Sequence, residues 1–118
     1  MLVLQRAGEV MLEKRPSSGI WGGLWCFPET DADADAVAVC AQRYGARVEL
    51  REALPVIAHG FTHYHLDILP QPALVKAWPQ RVAEPGLIWL SIEEACGAAI
   101  PTPVRDILEQ LTARNRKR

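Results

Sequence analysis

A single mixed α/β sandwich is the architecture this sequence predicts, and three observations carry it. The chain has 118 residues, 49% of them hydrophobic and 23% charged, which is the size and balance of one domain around one core. Short apolar runs bounded by Gly and Pro outnumber the segments of helical period. The first helical segment falls between strands rather than before or after all of them.

Leu2–Gln5 and Glu9–Arg15 read as two strands joined at Arg6–Ala7–Gly8, where glycine supplies positive φ. In the second strand Val10 and Leu12 alternate with Glu9, Met11 and Glu13, so one face is expected to be covered. Pro16–Gly19 is a turn cluster. Ile20–Pro28 sets Trp21, Trp25 and Phe27 around a Gly pair, which suggests close backbone approach with aromatics over a core edge. Trp21, Leu24, Trp25 and Phe27 are read as core and loop support.

Asp31, Asp33 and Asp35 alternate with Ala ahead of an Ala-rich helix over 36–44, with Gly45 as its stop. The three acids are expected in the first turn, at the positive end of the helix dipole. A calcium loop is the other reading of them, but the later glycine and terminal Glu of an EF-hand are missing. Val48 begins a strand within 48–57, and Leu66–Leu69 continues the sheet. Ala73–Trp78 is a strand bounded by Pro72 and Pro79, and Ile88–Leu90 a short one. Ser91 and Glu94 have capping-box spacing at the start of a helix over 91–96. Ile100–Pro103 breaks the chain, and a closing helix from Val104 to about Ala113 places Val104, Ile107, Leu108 and Leu111 on one stripe.

Bulk properties exclude several classes. No apolar run approaches the roughly 20 residues of a membrane span, and Met1–Arg6 lacks the pattern of a signal peptide. No membrane association and a cytoplasmic setting are therefore expected. Cys26, Cys40 and Cys96 are odd in number, widely spaced and without a Cys-x-x-Cys pair, so they read as small buried hydrophobes. Net charge is −1, and Arg114–Arg118 holds four of the 13 basic residues. Residues 1–113 carry nine basic against 14 acidic residues, a balance of −5. That is a poor footprint for gripping nucleic acid unaided, since phosphate contacts dominate such affinity. The basic tail reads as a solvated helix end.

The chemistry-bearing residues concentrate in His59–Asp67, which holds all three histidines. On one straight strand His59, Phe61, His63, His65 and Asp67 would share a face, and His65-Leu-Asp67 has the His-x-Asp spacing of an iron triad. Alternate residues lie roughly 7 Å apart along such a line, which is wrong for closing around one ion. A half-buried strand with solvated polar residues is a second reading. Nucleic-acid contact is a third: Phe61 and Tyr64 offer π-faces, Thr62 and His63 offer hydrogen-bonding groups, and Gly60 lets a ligand approach the backbone.

Three blocks in order, Glu9–Pro16, Gly19–Glu29 and His59–Asp67, together resemble the C-terminal domain of the MutY family of adenine DNA glycosylases over nearly the whole chain. The resemblance implies a single α+β domain over residues 1–118, a Nudix-like α/β/α sandwich with a mixed β-sheet. A working Nudix hydrolase needs Gly, then Glu six residues on, then a helix bearing Arg and three magnesium-holding Glu. Gly23 and Glu29 match the first spacing, but the helix reads Val37-Ala-Val-Cys-Ala-Gln-Arg-Tyr44, and shifting the register to Gly45 gives Gln42 and Arg43 instead. Neither register supplies the hard oxygen ligands Mg²⁺ requires.

What the resemblance implies instead is recognition of 8-oxoguanine opposite a mispaired adenine in double-stranded DNA. The family's Phe-Ser-His loop matches Phe61-Thr62-His63, with Thr keeping the hydroxyl and adding a methyl. By that match Phe61 would wedge beside the base pair, Thr62 would hydrogen-bond the lesion's purine edge, and His63 would contact or support the same site. Tyr64, and His65 after it, would prop the loop. Adenine removal and a 4Fe–4S cluster are implied for an N-terminal glycosylase domain of the parent chain, with no cofactor in this segment. The alternative reading is a Nudix-type nucleotide pyrophosphohydrolase with a degenerate metal site.

Overall fold

A computed structural model describes residues 1–79 and 85–116, the last of these by its backbone alone. The elements in order are β1 (Leu2–Arg6), β2 (Glu9–Lys14), β3 (Trp25–Cys26), α1 (Ala36–Tyr44), β4 (Arg47–Leu50), β5 (Ile57–Gly60), β6 (His65–Ile68), β7 (Gln71–Ala77), β8 (Leu87–Ser91), α2 (Ile92–Cys96) and α3 (Thr102–Arg116). Ala7 and Gly8 both take positive φ, 49° and 80°, as the tight primed turn between β1 and β2 demands.

One sheet has the order β3-β2-β1-β7-β4, with β8 also paired to β2. The β1–β7 pair is parallel and the others antiparallel, so the sheet is mixed. β5 and β6 form a separate hairpin. Leu2, Leu4 and Met11 pack beneath α1 with Ala36, Cys40 and Tyr44. Val3, Val10 and Leu12 face the opposite way, toward Val104, Ile107, Leu108 and Leu111 of α3. The α/β/α layering implied by the resemblance is therefore present, with α1 on one side and α2, α3 and the hairpin on the other.

This layering revises several local expectations. β2 is covered on both faces, since Val10, Met11 and Leu12 are all fully buried; alternation marks a covered face only where the other face meets water. Asp31 and Asp33 lie ahead of α1 rather than in its first turn, which carries no acid. Asp35 alone is the N-cap, accepting from the Val37 and Ala38 N–H groups at 3.1 and 3.2 Å. Gly45 ends α1 at φ 66°, its N–H donating to the Ala41 carbonyl. β7 begins at Gln71 and includes Pro72, whose carbonyl accepts from the Arg51 N–H at 2.9 Å.

The strand expected from Val48 stops at Leu50, and a second, β5, starts at Ile57. α3 starts at Thr102, two residues early, because a proline in the first turn has no N–H to leave unpaired. The basic tail is partly engaged: the Arg114 guanidinium donates to the Glu52 and Ala53 carbonyls at 2.7 and 3.3 Å. Lys117 and Arg118 of that tail lie outside the described residues. Among the described residues no helix is long and apolar enough to cross a membrane.

Candidate nucleic-acid interface

The hairpin owes its position to three apolar side chains. Ile57, Leu66 and Ile68 pack on the α3-side core, and the strands pair Ile57 with Ile68, His59 with Leu66, and Gly60 with His65. The Phe61 N–H donates to the Tyr64 carbonyl at 2.7 Å, closing the four-residue tip. Residues 57–60 are thus a strand, paired with the segment around Leu66–Leu69 that the sequence places in the sheet.

That reversal separates the histidines. His59 shares the inward face with Leu66, whereas His65 and Asp67 point to the other side with Ala58. The single-face ligand row does not exist, and among the described residues no group of three or more His, Cys, Asp or Glu side chains could hold a metal ion. His65 Nε2 and Asp67 Oδ1 stand 3.9 Å apart with both side chains exposed, a pair of little energetic weight.

Phe61, Thr62, His63 and Tyr64 come together at the tip because they are consecutive in a tight turn, and they divide by exposure. Thr62 and His63 are exposed, and Phe61 is half-buried. Tyr64 is 48% exposed. Phe61 is the hub of an aromatic cluster. Tyr64 stacks on it at 4.7 Å and 23°, and His59 meets it edge-on at 4.7 Å. Trp21 lies 5.8 Å from Phe61 and 5.7 Å from His59.

Trp21 reaches this place from the Gly22–Gly23 turn, with its own backbone in the left-handed region at φ 55°. That conformation costs an L-residue about 1–2 kcal/mol. The turn is held by the Leu24 N–H donating to the Trp21 carbonyl at 3.1 Å and the Gly23 N–H to the Pro16 carbonyl at 3.0 Å. Trp21 is thus loop support, as its apolarity suggested, and the loop it supports is the hairpin. The role of His59 beneath Phe61 escaped the sequence, because only strand pairing reveals which way it points. Gly60 takes an ordinary φ, and a Cβ there would meet nothing within 4 Å, so the fold leaves its backbone open to a ligand.

The second place to look for chemistry is α1 and the cavity beside it. Ala38, Ala41 and Gln42, at i, i+3 and i+4 on its exposed face, carry no carboxylate. Glu29 is ion-paired with Arg15 at 3.1 Å, and its carbonyl accepts from Arg43 at 3.1 Å. Arg15, a residue that from sequence alone could meet DNA or solvent, is therefore taken up by Glu29. A cavity of about 610 Å³ is bounded by Leu54, Leu66 and Ile68 with Glu29, Asp31, Asp35 and Asp67 in its lining. The donors that a Nudix hydrolase's magnesium would need on the helix are absent, so α1 does not fit that ion. Cys26 cannot substitute as a nucleophile, because burial raises its thiol to about 11.

Comparison with known proteins agrees with this architecture. The family description "NUDIX domain" matches residues 1–110. The chain is 31% identical over 106 residues to the adenine DNA glycosylase of Mus musculus, a match covering 83% of this chain and 21% of that protein. It therefore spans about a fifth of that relative's length. The C-terminal domain of mouse MUTYH, solved in complex with human PCNA, is 25% identical with a TM-score of 0.65, covering 98% of this chain and 86% of that one. The Ap4A hydrolase of C. elegans shares the fold at 16% identity and a TM-score of 0.68, with 95% and 92% coverage.

Proposed function

The chain belongs to the NUDIX domain family, and we propose that it acts there as a reader of damaged DNA rather than as a hydrolase. In this reading it recognises 8-oxoguanine opposite a mispaired adenine in double-stranded DNA. A glycosylase domain N-terminal to it in the parent chain removes the adenine. The single observation that carries the proposal is the hairpin tip, where the Thr62 hydroxyl and His63 imidazole stand exposed beside the Phe61–Tyr64 stack. The similarity to adenine DNA glycosylases supports it, as does the absence of acids on the exposed face of α1.

Relative to guanine, 8-oxoguanine turns N7 from an acceptor into an N–H donor. The Thr62 hydroxyl can accept from that N–H; against guanine it must turn and donate to N7 instead, so the preference is the difference between two hydrogen bonds rather than a bond lost outright. The Phe61–Tyr64 stack supplies apolar contact to the bases, and His63, next to Thr62 in the turn, contacts or supports the same site. The decisive measurement is binding of this domain, joined to its glycosylase domain in the parent enzyme, to duplexes differing only in 8-oxoguanine or guanine opposite adenine. Thr62→Ala is expected to cost about 1–3 kcal/mol of the preference, the scale of one base contact. Equal preference in mutant and wild type would sink the assignment.

A second reading, a NUDIX-type nucleotide pyrophosphohydrolase with a degenerate metal site, is favoured by the fold shared with the C. elegans Ap4A hydrolase and by the 610 Å³ cavity with its acidic lining. Steady Mg²⁺-dependent turnover of nucleoside triphosphates, abolished by Glu29→Gln, would establish it over the first.

A further inference from the structure

We infer that the ring meeting a nucleobase is Tyr64, and that Phe61 is the platform beneath it rather than the wedge. This rests on the DNA-reading role proposed above, but the part it assigns is independent of the lesion. Phe61 is enclosed on three sides, by Tyr64 at 4.7 Å, His59 at 4.7 Å and Trp21 at 5.8 Å. To insert into a base stack it would have to abandon all three contacts. Tyr64 has one face against Phe61, and 48% of its surface remains in water.

Order within the cluster runs from the core outward. Trp21 packs against the α3-side core, touches His59 and Phe61, and through Phe61 sets the plane of Tyr64 at an angle of 23°. The exposed Thr62 and His63 lie within the same four-residue turn, so a base stacked on Tyr64 comes within reach of their polar atoms. The ligand chemistry is that of an unstacked nucleobase, since base–aromatic stacking needs a free π-face and accepts any base. Trp21 is a positioning residue, and its strained backbone is what delivers its ring to the hairpin.

The test compares, in the same two-domain enzyme, the wild type with Tyr64→Ala, Tyr64→Phe, Thr62→Ala and Trp21→Ala on three probes: an 8-oxoguanine:adenine duplex, a guanine:adenine duplex, and a single-stranded oligonucleotide. Tyr64→Ala is expected to weaken binding to every probe by about 10-fold, within the range of one stacked base. Tyr64→Phe keeps the ring and is expected to bind as the wild type does. Thr62→Ala is expected to lower the lesion preference alone. Trp21→Ala is expected to weaken binding and to speed hydrogen exchange of the Phe61 amide at least about 10-fold, with the Val3 and Leu12 amides unchanged. Wild-type affinity in Tyr64→Ala overturns the inference and leaves the lesion reading standing if Thr62→Ala still loses preference. A general loss in Tyr64→Ala from a wild type without lesion preference supports the inference and removes the lesion reading. A wild type that binds none of the three probes removes both.

Discussion

At the scale of single residues, burial decides which reactive groups are available. Cys26 and Cys40 have no exposed surface, and desolvation raises both thiols, Cys26 to about 11. Cys96, at the end of α2, is half-buried. The native chain is therefore expected to consume a single equivalent of a thiol-alkylating reagent near pH 8, and the unfolded chain all three. Rapid reaction of Cys26 in the native state would contradict its placement in the core. The reading of the cysteines as buried hydrophobes holds for Cys26 in β3 and for Cys40 on the buried face of α1. The same kind of reading chose the tip residues Phe61 to Tyr64 as candidates but could not rank them. Which ring is covered depends on Trp21, some 40 positions earlier, and on strand pairing that turns His59 inward.

At the scale of elements, capping chemistry was legible wherever a polar side chain sat at a fixed offset from its helix. Ser91 and Glu94 form the reciprocal box that their spacing implied, both bonds at 3.0 Å. The Ser91 backbone N–H and hydroxyl hold the Glu94 carboxyl below the usual range. A depressed carboxyl stabilises the fold above the ordinary Glu value of about 4.3, and that contribution is lost as pH falls through the lower folded value. Glu94→Gln is accordingly expected to flatten the acid limb of a thermal-stability profile below about pH 4.5 relative to wild type.

In α1 the alternating acids obscured the cap. Only Asp35 reaches the free N–H groups, so Asp35→Ala is expected to cost about 1 kcal/mol in denaturant melts, with Asp31→Ala and Asp33→Ala within about 0.5 kcal/mol of wild type. The two-residue β3 and the strand β5 went unseen because neither has a repeating pattern of its own. Each is a strand only because β2 or β6 pairs with it. Pro72 reads as a boundary under the general rule against proline in strands, and the register across from Val3 overrides that rule.

At the scale of the molecule, the order β3-β2-β1-β7-β4 joins segments some 70 residues apart. No local period encodes such a pairing. Local patterns reached a mixed α/β sandwich, but its α/β/α layering came only through the resemblance carried by three ordered blocks. What the sequence, set against the Nudix pattern that the resemblance implies, also makes legible is the lack of ligands on α1. Ala38, Ala41 and Gln42 occupy one exposed face of that helix, and residues three and four apart on a helix converge on a common point. Millimolar Mg²⁺ is expected to leave the melting temperature of the wild type unchanged. The triple variant A38E/A41E/Q42E is expected to be slightly less stable without the ion, since like charges at i,i+4 cost roughly 0.2–0.5 kcal/mol per pair. With the ion it should gain: at about 100 times Kd, linkage contributes roughly 2.7 kcal/mol. Glu29 must leave Arg15 to join such a site, so adding Glu29→Gln to the triple variant should reduce the Mg²⁺-dependent gain. A wild type that Mg²⁺ stabilises as strongly as the variant would place a cation site elsewhere in the fold and return the hydrolase reading to first place.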